Sequence, residues 1–159
     1  MDKTLGPGPW TAAFYTALPT SLRSKSNYRM GQAGWKDIRM FEELTAMTLR
    51  AAVPSCWDLG DAKQSVSKRP TVVLAVVAAS MLDSANFTKS VADAAQGVLV
   101  HSDASILATG TMALRRKTGQ RCGVAAALLP PGVGVTQQAK ALAQLSIEAA
   151  RRFEAYDPD

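Results

Sequence analysis

Apolar residues follow two rhythms along this chain. In "WTAAFYTALP", residues 10–19, they are dense, partly aromatic and bounded by Pro19, which predicts a first strand. From Lys36 to Ala52 the spacing lengthens to three and four. Ile38, Phe41, Leu44 or Thr45, Thr48, Leu49 and Ala52 repeat with the period of one helix face, and Pro54 ends the pattern. "TVVLAVVAASML", residues 71–82, is an unbroken Val-rich run, too short to cross a bilayer, and reads as a buried strand. Asp83 or Ser84 then caps a helix running to about Gln96, with Gly97 as its left-handed terminator. "VLVHSD" is a turn or short extended piece. "SILATGTMALRRKT" and "GVAAALLP" predict two antiparallel strands joined by the basic turn "RRKTGQRC". Beyond "PPGVG", a last helix from about Thr136 to Tyr156 gathers Leu142, Leu145, Ala149, Phe153 and Tyr156 on one side.

Strand, helix, strand, helix, two strands, helix is the order of an α+β domain built on a mixed β-sheet with packed helices. Residues 1–9, with Gly6, Pro7, Gly8 and Pro9, read as a flexible N-terminal arm, and residues 10–157 as one folded domain without internal repeats.

Composition sharpens this picture. At 159 residues and 47% hydrophobic the chain fills one real core, which excludes global disorder. A net charge of +5 favours an anionic partner. Cys56 and Cys122 show no CxxC and no zinc-spaced His, so they read as reduced thiols. The N-terminus lacks a signal-peptide pattern, and the expectation is a soluble, cytoplasmic protein with no membrane role. No G-x-S-x-G is present, and "PPGVGV" has no following Lys-Ser or Lys-Thr, so Ser or Cys hydrolase and phosphate-loop readings are poorly supported.

Two groups of residues carry candidate chemistry. The first is cationic. Arg23, Lys25 and Arg29, with Asn27 among them, lie in a polar loop, and Arg115, Arg116, Lys117 and Arg121 lie in the basic turn; Lys68 and Arg69 stand behind them. Such side chains donate hydrogen bonds to phosphate oxygens, though a solvated loop has the same composition. The second is acidic. Asp83 closes the Val-rich strand and Asp103 precedes the next, so a helix and turn between them can return both carboxylates to one edge of the sheet. Two close carboxylates repel unless a cation sits between them, and Mg²⁺ is the ion that takes hard oxygen ligands. Asn86, Lys89 and Asp93 fall three and four apart on one helix face, with Lys89 near the acids. The plainer readings are that Asp83 caps a helix, Asp103 sits in a turn, Lys89 and Asp93 form a surface pair, and His101 is a tucked histidine.

The stretch "LDSANFTKSVADAAQGVLVHSDASI" resembles the RusA family of Holliday-junction resolvases, found largely in phages and prophages. The family pattern is D-x-D-N, a Lys three positions on, then D-A-hydrophobic, a Gly and a closing pair of acids. Asp83, Asn86, Lys89, Asp93, Ala94, Gly97 and Asp103 fall in those places. "ALPTSLRSKSNYR" and "RRKTG" look like the family's first strand and loop and its later basic stretch. The resemblance implies a RusA-like fold and a homodimer on four-way DNA junctions. It also implies Mg²⁺-dependent (or Mn²⁺-dependent) cleavage, with Asp83 and Asp103 as catalytic metal ligands and Lys89 as the catalytic or phosphate-contacting lysine. Ala85 stands where the middle aspartate belongs, and Ser102 replaces one acid of the closing pair. Ala85 reads either as an introduced Asp→Ala change or as a natural relative that lost cleavage and kept binding. The alternatives are therefore a nuclease, a non-catalytic branched-DNA-binding protein on the same fold, and a small partner-binding domain with no DNA role.

Overall fold

The Val-rich run becomes the middle of the protein. In the computed structural model, which describes residues 3–18, 35–79, 84–115 and 120–155, it forms a strand buried on both faces. The elements follow as β1 (Ala12–Ala17), α1 (Trp35–Ala52), β2 (Thr71–Ala79), α2 (Ser84–Ala95), β3 (Ile106–Leu114), β4 (Gly123–Leu129) and α3 (Val135–Glu154). The four strands make one sheet in the order β1-β4-β2-β3. β4 runs antiparallel to both neighbours, while β3 runs parallel to β2, so β1, β2 and β3 all point one way. The fold is a single α+β domain on a mixed sheet, as the order of elements predicts.

One pairing differs from the sequence reading. β3 and β4 are not a hairpin, because β2 lies between them. Their directions are opposite as expected, but "GVAAALL" is buried at every position and occupies an interior place that "ILATGTMAL", half-buried or exposed throughout, does not. An all-apolar strand gains more from two strand neighbours and two covered faces than from a hairpin at the edge.

Strand alternation divides the core into two layers. Phe14, Val72, Leu74, Val76, Val124, Ala126 and Leu128 face α1 and α2 and pack with Phe41, Leu49, Phe87 and Val91. Ala13, Val73, Ala75, Val77, Ala125, Ala127 and Leu129 face α3, which returns Ala141, Leu145, Ala149 and Phe153. The small residues of β4 let α3 lie close against the sheet. Leu142 of the predicted stripe is half-buried, Tyr156 lies outside the described residues, and so does the side chain of Ile38.

Local signals explain the ends. Gly97 takes a positive φ of 81° just after α2, and its N–H donates to the Val100 carbonyl. The polar connection after α1 packs against the turn that follows α2. The Trp57 indole donates to the Leu99 carbonyl at 3.0 Å, and His101 Nε2 hydrogen-bonds the Gly60 carbonyl at 2.7 Å. Lys3 to Leu5, within the stretch read as a flexible arm, lie along β1. The Leu5 N–H donates to Ala13, the Tyr15 N–H donates to Lys3, and Leu5 is buried. Cys56 is exposed and Cys122 buried, both unbridged. Among the described residues no helix is long and apolar enough to cross a membrane.

Candidate nucleic-acid interface

Parallel and antiparallel pairings together decide which chain ends share a rim. Ala17 is opposite Gly123, Val77 is opposite Gly123, and Ala79 is opposite Leu114. The C-terminal ends of β1, β2 and β3 and the start of β4 therefore lie at the same end of the sheet. The Leu18 N–H donates to the Cys122 carbonyl at 2.7 Å, which ties the exit of β1 to the entry of β4. α2 runs back along β3 from this end, since Thr88 in its second turn hydrogen-bonds Thr111.

Two cations of the basic turn stand at this rim. Arg115 leaves β3 and Arg121 enters β4, both exposed, and their strands are two spacings apart, roughly 10 Å. Arg116 and Lys117 lie between them in sequence, outside the described residues. Arg23, Lys25, Asn27 and Arg29 also lie outside them, but the residues on either side are Leu18, at the rim, and Trp35. The carboxyl ends of parallel strands are where open α/β sheets ordinarily bind ligands.

Sequence reasoning missed the contribution of α3. Its last turn carries Arg151 and Arg152, and it ends at this same rim, since Gln120 donates to the Phe153 carbonyl. Arg151 pairs with Glu148 at 3.0 Å, and Arg152 donates to the Thr4 carbonyl at 3.2 Å. Cations in a final helical turn satisfy the helix dipole, so nothing in the sequence separated a rim role from an ordinary cap. Lys68 and Arg69 are not part of the rim. They precede Thr71 at the opposite end of β2, where Arg69 is buried.

The acids divide differently. Lys89 is exposed on α2 and Asp93 is half-buried one turn on. Ala85 lies in the first turn of α2, its side chain outside the description, and Asp83 lies outside the described residues. Asp103 is exposed in the short turn Asp103–Ser105 that leads into β3. Because Val72 is opposite Ile106 and Ala79 is opposite Leu114, this turn lies beside the start of β2, not its end. From Asp103 to the first turn of α2 the chain must traverse most of β3, about 20 Å at roughly 3.3 Å per residue. The expectation that helix and turn return both acids to one edge is thus corrected at Asp103. A parallel β-α-β connection brings the chain back to where the first strand began.

Among the described residues no three His, Cys, Asp or Glu side chains gather where a metal ion would be held. The donor set implied for Mg²⁺ does not fit, since Asp103 lies at the end of the sheet away from the first turn of α2.

A scan against protein-family models and searches of curated proteins and of solved structures return no match for this chain.

Proposed function

We propose that this chain binds branched DNA through the basic rim, as a relative of the RusA resolvases that has kept the binding and not the cutting. The observation that carries the reading is the gathering of chain ends: exposed Arg115 and Arg121 and the last turn of α3, with Arg151 and Arg152, lie at the end of the sheet where β1 also exits. A positive edge of this kind neutralises phosphates and is indifferent to base sequence. The preference for branched over linear DNA rests on the resemblance of residues 82–106 to the RusA motif. The same proposal includes a homodimer acting in the cytoplasm.

Two observations favour binding over hydrolysis. Ala85 removes a carboxylate from the motif, and Asp103 opens β3 at the far end of the sheet. The nuclease reading needs both acids beside one ion.

The test uses a labelled synthetic four-way junction and a duplex of the same sequence, with the wild-type chain and an Ala85→Asp variant, each with and without Mg²⁺. The expected result is junction binding by both proteins, tighter than to duplex and weakened by salt, with no nicking. Symmetric nicking by Ala85→Asp would reinstate the metal-dependent nuclease. No salt-sensitive binding to either DNA would leave only the partner-binding domain.

A further inference from the structure

The outer side of β3 is an open sheet edge. On the opposite edge β1 is covered over part of its length, where Thr4 bridges Phe14 and Leu5 bonds to Ala13. Among the described residues no strand or bridge runs along the outer side of β3. Proteins ordinarily blunt such an edge with lysines, prolines or a covering segment. "ILATGTMAL" has nine residues with no charge and no proline.

We propose that this edge pairs antiparallel with the β3 edge of a second copy of the chain, about a two-fold axis at Gly110. The inference rests on the homodimer of the proposed function and names its surface; it does not depend on DNA binding, since every measurement below is made without DNA. Its first support is that the strand is nearly self-complementary. Reading outward from Gly110 in the two directions gives Thr109 and Thr111, Ala108 and Met112, Leu107 and Ala113, Ile106 and Leu114. An isologous contact requires a surface that matches itself in this way.

The faces agree over the central five residues, Ala108 to Met112; beyond them β3 bulges at Leu107, between Ile106 opposite Val72 and Ala108 opposite Val73, and Ile106 packs on the α1 and α2 layer while Leu114 packs on the α3 layer. Ala108 and Met112 pack toward α3, while Thr111 meets Thr88 of α2 and Thr109 shares its side by alternation. Pairing about Gly110 sets Thr opposite Thr on one face and Ala opposite Met on the other. Gly110 is itself closely covered by α3: a Cβ there would lie 3.2 Å from Leu142 Cδ1, so the centre of the strand is flat for a reason internal to the chain.

Charge gives the second support. Asp103 is exposed just before β3 and Arg115 is exposed just after it. Antiparallel pairing runs each copy's Arg115 toward the other copy's Asp103, past the bulge at Leu107. A parallel pairing would set Asp beside Asp and Arg beside Arg. The exposed carboxylate that does not fit a metal site at the first turn of α2 thereby gains a cationic neighbour.

The experiment is the mass of the full chain in solution at micromolar concentration, without DNA, by sedimentation equilibrium. The wild type is expected as a dimer. Thr109→Lys and Ala113→Lys, both at exposed positions, should each halve the mass with unchanged circular dichroism. Asp103→Arg and Arg115→Glu should each weaken the dimer several-fold, and the two together should restore it. A monomeric wild type overturns the proposal, as does a dimer that either folded lysine variant leaves intact. Charge reversals without mutual rescue overturn the register about Gly110.

Discussion

Tyr15 shows how much one residue's surroundings add to its sequence position. In the alternation of β1 it is simply an aromatic on a strand, yet burial pushes its hydroxyl up to about 12, with Cys122 adding to the rise and Arg152 opposing it. A phenol whose folded pKa lies above its unfolded value of 10.0 contributes stability that is complete below pH 10 and lost as pH climbs toward 12. Urea midpoints should therefore fall across that interval by an amount equivalent to about 2 kcal/mol, and Tyr15→Phe should flatten the decline. An unchanged slope in the phenylalanine variant would place the effect elsewhere. Gly123 belongs to the same feature, for a Cβ at that position would overlap the Tyr15 hydroxyl. Nothing in the sequence linked residues 15 and 123. His101 was easier to read: a lone histidine beside a turn reads as tucked, and it holds the Gly60 carbonyl. Asp103 was legible as a turn residue and misread as the neighbour of a second acid.

At the scale of elements, the helices and strands were legible because each carries its own period and its own stop. α2 begins near Asp83 or Ser84 and ends before Gly97 as the caps predict, and α1 and α3 start within a residue of where their apolar stripes begin. Phe87 anchors α2 with its ring centroid 5.9 Å from that of Phe41, fully buried between the two helices and the sheet. Phe87→Ala should cost about 3–5 kcal/mol of unfolding free energy by chemical denaturation, as large-to-small changes in a closed core do. A loss under about 1 kcal/mol would mean that α2 is not seated on that layer. What the periods did not reveal was the order of strands. A basic turn between two apolar runs is the usual mark of a hairpin, and only the burial contrast between β3 and β4 shows which of them sits inside. Pairing order depends on contacts distant in sequence, and the parallel partner of β2 was among them.

For the whole molecule, that one unread pairing changes the functional account. With β3 antiparallel to β2, the acids that flank residues 84–102 would share an edge. With β3 parallel, Asp103 lies at one end while the basic chain ends, Arg115 and Arg121 among them, gather at the other. The positive balance of the sequence pointed to an anionic partner, and the topology places Arg115, Arg121 and the last turn of α3 at one end of the sheet, where the proposed function puts that partner. The most direct measurement is the salt dependence of binding to a labelled four-way junction, comparing the wild type with a variant carrying Arg115→Ala, Arg116→Ala, Lys117→Ala and Arg121→Ala. With about six phosphates neutralised, the slope of log K against log salt should be near −5, and the variant should bind more weakly with a slope shallower by roughly 3. A variant that matches the wild type in affinity and slope, or a wild type with a slope near zero, would contradict the assignment of this rim to DNA.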